Sequence, residues 1–257
     1  MASVLAKKQK KKSNYNLKDL KTLGNQLLSS RTHINNLPLL ITFISPSSSP
    51  QFALESLLSL QSFFIPVLSE LPSSKSQINF EEKELSKNPE LVYKIWLRAK
   101  FDDFVKSLIS VAVSSQSDET LKDVVLDAIM DFVKLGKDGR FQSSIYQRFL
   151  HAIVYSPSSI DSLLDLLVSK FFKYIDVRYF TYITVEKLAR SLDSRGVEDK
   201  NNMSAQEDSE NVSKPSNLEL AIHKIQYILS HIPPFDIKGG QSEYEMWSQS
   251  GANPISD

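Results

Sequence analysis

Residues 171–192, FFKYIDVRYFTYITVEKLARSL, admit two secondary-structure readings, and the fold class turns on which is right. Six of the first twelve are aromatic: Phe171, Phe172, Tyr174, Tyr179, Phe180 and Tyr182. They carry a large apolar area and three phenolic hydroxyls that need partners wherever they are buried. Val177, Tyr179, Thr181, Ile183 and Val185 alternate as a strand would, and all have high strand propensity. As a helix from Asp176, the same residues place Val177, Phe180, Thr184 and Leu188 along one side, flanked by Tyr179, Tyr182, Ile183 and Glu186. A strand needs a pairing partner, and no other segment offers comparable alternation. The helix is therefore the reading adopted. It predicts Phe172, Phe180 and Ile183 as buried residues of a packing junction between successive helices rather than a platform for stacked bases.

Helical patterns recur on both sides of this stretch. Towards the N-terminus, Leu17, Leu20, Leu23, Leu27 and Leu28 fall at helical spacing, with Gly24 costing that helix about 1 kcal/mol relative to Ala. HINNLPLLITFI predicts a short helix from Leu37 with Pro38 in its first turn. Ser49 and Pro50 read as the cap and first position of the next helix, which Pro66 should kink or interrupt. Asn88-Pro89 opens a long helix with Val92, Ile95, Trp96, Ala99, Phe104, Leu108, Ile109 and Ala112 on one side. Asp118 caps another, with Leu121, Val124, Val125, Ala128, Ile129, Phe132 and Val133 inward and Gly136 as its left-handed terminator. Short polar turns pair these helices into hairpins, the second of them 141–155 with 160–174. Residues 171–192 begin a third, whose partner is 218–232.

Paired helices spaced about 40 residues apart are the signature of a HEAT/armadillo-like repeat. The predicted class is all-α, an irregular α-solenoid of helical hairpins with disordered tails and one long disordered loop. The predicted organisation is a basic disordered tail over 1–14, N-terminal helices over 15–71 and a linker over 72–88. A helical-repeat domain follows over 89–232, with a disordered charged insertion at 193–216, and a disordered tail over 233–257. Within that tail, Tyr244, Met246 and Trp247 form an apolar cluster suited to docking.

Formal net charge is zero, yet Lys7, Lys8, Lys10, Lys11 and Lys12 crowd the first twelve residues and leave 13–257 at −5. The lysine run reads either as a nuclear-import or RNA-phosphate contact or as a solubilising end. With no cysteine, the chain has no disulfide, thiolate metal site or cysteine nucleophile. No apolar run reaches the roughly 18 residues of a membrane span, and no signal-peptide pattern precedes the lysines. His33, His151, His223 and His231 lie on separate segments or eight residues apart, which does not build a metal site. Gly136-Lys137-Asp138-Gly139-Arg140 lacks phosphate-loop spacing and reads as a helix–helix turn. Arg178 reads as a satisfied structural arginine. No catalytic constellation, cofactor motif or small-molecule site emerges.

Several strings together resemble the N-terminal region of the plant-type nucleolar complex protein 4 family. They are KDLKTLGNQLLSSRTHINNLPLLITFI, FALESLLSLQSFFIPVLSEL, WLRAKFDDFV, GRFQSSIYQRFLHAIV, FFKYIDVRYFTYI and YEMWS. The resemblance implies a non-enzymatic protein of the nucleus and nucleolus, acting in small (40S) ribosomal subunit maturation, pre-rRNA processing and export. Implied partners are a nucleolar assembly factor of the nucleolar protein fourteen type and small-subunit precursor particles, with pre-rRNA contact indirect or weak. No membrane or small-molecule substrate is implied. Family members continue into a second helical domain named after a CCAAT-binding factor, which this sequence lacks, so partner docking that depends on that domain is expected to be missing. That domain name also gives an alternative, a nuclear DNA-associated transcription regulator, against which the acidic folded part argues.

Overall fold

In the computed structural model the described residues are 15–72, 88–200, 217–233 and 245–248, with 193–200 described by backbone alone. Capping chemistry fixes several helix starts. Asn16 opens α1 (Leu17–Ser29) reciprocally: its side chain accepts from Asp19 N–H at 3.0 Å, and the Asp19 carboxylate accepts from Asn16 N–H at 2.8 Å. Asn88 Oδ1 accepts from Leu91 N–H at 3.1 Å to open α4 (Pro89–Val113), and Asp118 Oδ1 accepts from Leu121 N–H at 3.0 Å to open α5 (Glu119–Lys134). Between α1 and α4 in sequence lie α2 (Asn36–Ile41) and α3 (Pro50–Val67). Downstream come α6 (Ser143–Val154), α7 (Asp161–Phe171), α8 (Ile175–Lys200) and α9 (Asn217–His231). No strand occurs among the described residues, and 175–192 is helical. The class is all-α, an irregular helical repeat.

The chain divides into two compact units: Met1–Val111 with Gln116–Val125, and Ala112–Ser115 with Leu126–Asp257. The division therefore falls at α4 and α5, not at the polar stretch 72–88, of which 73–87 lie outside the described residues. Aromatic packing explains the shift. The Phe64 ring of α3 meets Phe101 edge-on at 5.2 Å and stacks with Phe104 at 5.6 Å, so most of α4 completes the core begun by the N-terminal helices.

In that first unit α1, α2 and α3 pack together around Leu20, Leu27, Leu37, Leu40, Leu57 and Leu60. Gly24 is required for the close approach of α1 and α3, because a Cβ there would sit 2.2 Å from Ser59 Oγ and 2.9 Å from Ser59 Cβ. Pro50–Glu70 is long and apolar enough to cross a membrane by composition, but Ala53, Leu57, Leu60 and Phe64 are buried in this core. Pro66 ends α3 within one residue, and a 3-10 turn, Leu68–Glu70, follows. Ser49 precedes Pro50 without a side-chain cap bond. Along α4 the predicted inward residues Phe104, Leu108, Ile109 and Ala112 are buried, whereas nearer its start Leu97, Arg98 and Phe101 are buried and Val92 and Ala99 are exposed.

In the second unit α6 packs against α8 and α9, and α9 also against α7. Positive φ occurs at Asp138 (58°) and Gly139 (73°) in the 3-10 turn Lys137–Gly139, rather than at Gly136. Gly136 is needed for another reason. A Cβ there would lie 2.2 Å from the Arg140 carbonyl oxygen, which accepts from Gly136 N–H at 3.0 Å. Two expectations of disorder change. α8 continues as helix to Lys200, beyond the predicted loop start at Asp193, since no proline interrupts it; 201–216 lie outside the described residues. In the C-terminal tail, 245–248 have a defined place on the second unit.

Candidate functional site

α7 ends at Phe171, and one turn later α8 starts at Ile175, so the aromatic stretch is a tight junction between two helices. Asp176 lies in the first turn of α8, where a carboxylate is favoured by the free N–H groups and the helix dipole. Its residue is buried, at 4% exposure, and both oxygens are fully used. Oδ1 accepts from Val177 N–H at 3.0 Å and Trp247 N–H at 2.9 Å. Oδ2 accepts from Ser248 N–H and from the Ser248 hydroxyl, each at 2.8 Å. Beside it, Ile175 N–H donates to the Glu245 carbonyl at 3.0 Å. A helix N-terminus thus holds a four-residue strap drawn from 70 residues downstream.

Trp247 anchors that strap. Its indole N–H donates to the Met130 carbonyl at 2.8 Å, and its ring meets Phe171 edge-on at 5.1 Å and Tyr174 at 4.8 Å. Lys134 Nζ lies 4.6 Å from the ring centroid, within reach of a cation–π contact. The Lys173 ammonium is held above the ordinary lysine range, first by the Tyr174 hydroxyl and then by the Glu245 charge. An indole whose N–H is bonded and whose ring meets two aromatic side chains and a lysine is a specific anchor.

Further along α8 the buried face is polar at its centre. Thr181 spends its hydroxyl proton on the Val177 carbonyl at 2.7 Å, so the Tyr146 hydroxyl must donate to Thr181 Oγ1 at 2.6 Å. Burial pushes the Tyr146 phenol well above its ordinary pKa and keeps that donor protonated. Arg178 is buried, giving N–H groups to the carbonyls of Lys173 at 3.2 Å and Pro233 at 3.4 Å. On α9, Lys224 is 1% exposed and donates to the Ser156 and Ile153 carbonyls at 2.6 and 3.1 Å, capping the end of α6. Desolvation brings its ammonium down to about 8, against the opposing pull of Asp161.

The sequence-predicted residues separate accordingly. Phe172 is buried at 1% exposure, while Phe180 and Ile183 are only half-buried. Of the predicted row of α8, Val177, Thr184 and Leu188 are buried, while Thr181 and Val185 take the inward place expected of Phe180, and Tyr146 satisfies Thr181 from α6. Phe180 instead stacks on Phe141 at 4.3 Å. Lys7, Lys8, Lys10, Lys11 and Lys12 lie outside the described residues, as does Tyr244. His151 lies against the Tyr155 ring at 4.4 Å, and His231 Nδ1 sits 2.8 Å from the Tyr227 carbonyl. Among the described residues no group of three or more His, Cys, Asp or Glu could hold a metal ion. Asp176, Ser248, Thr181 and Lys224 were missed as structural centres. Only the apolar cluster Tyr244, Met246 and Trp247 in a polar tail signalled that anything docked there.

Buried polar groups that serve helix–helix packing, with an aromatic strap across a helix junction, define an all-α helical-repeat protein. Residues 8–194 match the family described as "Nucleolar complex protein 4-like, TPR repeats", and the chain belongs to that family. It is 54% identical over 250 residues to the Arabidopsis thaliana protein NUCLEOLAR COMPLEX ASSOCIATED 4, an alignment covering 97% of this chain and 42% of that relative. The chain thus spans less than half the length of that relative. No solved structure matches it.

Proposed function

We propose that the chain is a non-enzymatic helical scaffold of the nucleolus that acts in small ribosomal subunit assembly. The observation that carries this reading is the family match across 8–194 together with 54% identity to a plant nucleolar complex protein. The physical features support it. Polar side chains at the helix junctions are consumed by packing, there is no cysteine in the sequence, and no metal-ligand cluster occurs among the described residues. Its partners are an assembly factor of the nucleolar protein fourteen type and small-subunit precursor particles. The lysines of the first twelve residues serve nuclear import or a weak phosphate contact, since 13–257 carries a formal charge of −5. That same balance disfavours a DNA-binding role for the folded part.

Affinity purification of the tagged chain from nuclear extract tests the proposal. Enrichment of small-subunit precursor RNA with assembly proteins is expected, and recovery of neither overturns it. Deleting 1–12 separates the two roles of the tail: loss of nuclear entry marks an import signal, whereas nuclear chain with less RNA marks a phosphate contact.

A further inference from the structure

We propose that residues 245–248 form a latch on Asp176, and that phosphorylation of Ser248 opens it. The latch is small and its closure depends on donors. Five hydrogen bonds hold it: Ile175 N–H to Glu245 O, Trp247 N–H and Ser248 N–H to Asp176, Ser248 Oγ–H to Asp176, and Trp247 Nε1–H to Met130 O. Three of the five end on one carboxylate, and two of those come from Ser248 to the same oxygen, Oδ2. An ionised carboxylate only accepts, so the Ser248 hydroxyl has to be the donor. The proton that closes the latch is the one that phosphorylation removes.

The reaction is an ordinary phosphoryl transfer from ATP by a protein kinase. A bond forms between Ser248 Oγ and the γ-phosphorus as the bond to the ADP leaving group breaks, and the hydroxyl proton passes to the kinase's base and then to solvent. The product replaces a donor 2.8 Å from Oδ2 with a group carrying about −1.5 to −2 charges at neutral pH. Two anions would then share a pocket in which the Ser248 residue is 6% exposed. Phosphate at a helix N-terminus is ordinarily favourable, but here Asp176 already occupies that position and uses it.

The lysines nearby are committed elsewhere. Lys134 lies over the Trp247 ring and pairs with Asp131 at 3.5 Å, and Lys173 is engaged by Tyr174 and Glu245. Repulsion therefore prevails over rescue. Because the contact among the described residues of the tail is made by the four residues 245–248, it can detach by local opening without unfolding the helices beneath, which also gives a kinase access to Ser248. Opening uncovers the apolar sides of Phe171 and Tyr174 and frees the strap from α8.

The two tryptophans of the sequence make the test direct. In full-length chain carrying Trp96→Phe, Trp247 is the sole indole, and its accessibility to acrylamide reports the latch. Phosphoserine placed at Ser248 is expected to raise the quenching constant at least about twofold and to red-shift emission, matching Asp176→Asn in the same background. Phosphoserine at Ser250 supplies the same added charge and is expected to leave both unchanged. Helical circular dichroism establishes that each protein is folded, and Trp96→Tyr provides a second background. Unchanged quenching in folded Ser248-phosphorylated chain overturns the proposal, as does equal opening by phosphate at Ser250.

Discussion

Replacing Asp176 with asparagine changes the strap's receptor by one atom, and the structure fixes what that atom does. The carboxylate accepts four hydrogen bonds, two on each oxygen. The amide keeps one oxygen and presents an NH2 group in place of the other. With the NH2 at the Oδ1 position, it faces the N–H groups of Val177 and Trp247, and both lose their acceptor. With the NH2 at the Oδ2 position, the Ser248 hydroxyl can rotate to accept, but Ser248 N–H is left facing a donor. The second orientation is cheaper. It forfeits one charge-assisted bond worth about 1.5–3 kcal/mol and weakens the others by removing the charge, for a total of about 2–4 kcal/mol. That is enough to open a four-residue contact. Amide hydrogen exchange reads it residue by residue, since Trp247 and Ser248 N–H are protected through Asp176 itself. Asp176→Asn should speed exchange at both amides by about 30-fold or more, corresponding to the lower end of that range, while interior amides of α6 keep their protection. Unchanged exchange at Trp247 and Ser248 would refute the claim that the carboxylate holds the strap.

Donor order predicts an asymmetry at the Tyr146–Thr181 pair: Thr181→Val leaves a buried phenol unpaired and should cost about 1–3 kcal/mol in denaturant unfolding, whereas Tyr146→Phe removes only a donor and should cost about 1. Equal costs would contradict the assignment. For Lys224 the folded pKa of about 8 lies below the ordinary 10.5, so the unfolded chain binds the extra proton between those values and stability must rise with pH across that window. The burial cost is complete below pH 8 and gone by pH 10.5, so the stability of the natural chain relative to Lys224→Met should improve by up to ~3 kcal/mol over that interval, and a pH-independent difference would contradict it. Gly24→Ala gains about 1 kcal/mol of helix propensity but collides with Ser59, an overpacking cost of about 1–3 kcal/mol, and should lower the melting temperature. Adding Ser59→Gly, which removes both colliding atoms, should make the Gly24→Ala change itself stabilising, as a double-mutant cycle would show.

Local chemistry was legible where local chemistry decides. Asn88 and Asp118 announce helix starts because a side-chain acceptor just before an apolar row has one good use, although Ser49, read the same way, makes no cap bond. The break between α7 and α8 and the inward Phe172 were readable from the aromatic density. The place of Phe180 and Ile183 on α8 was not, although Val177, Thr184 and Leu188 are inward as the helical row predicts. A rule that turns the most apolar side inward selects Phe180 and Ile183, but Thr181 is fully buried because a phenol 35 residues away donates to it. The same holds for Lys224, whose burial depends on two carbonyls at the end of α6, and for Asp176, whose donors come from a distant tail. Sequence reasoning prices a polar residue as exposed; a partner supplied by tertiary structure reverses the sign. Gly24 likewise looks like a weakness within its own helix and becomes a requirement only beside Ser59.

Sedimentation of the tagged chain in nuclear extract decides whether it works as a scaffold of small-subunit assembly. A scaffold of small-subunit assembly should travel with particles containing small-subunit precursor RNA and shift to the top of the gradient when RNA is digested. A chain that stays at the top in untreated extract, or that moves only with mature ribosomes, would contradict it.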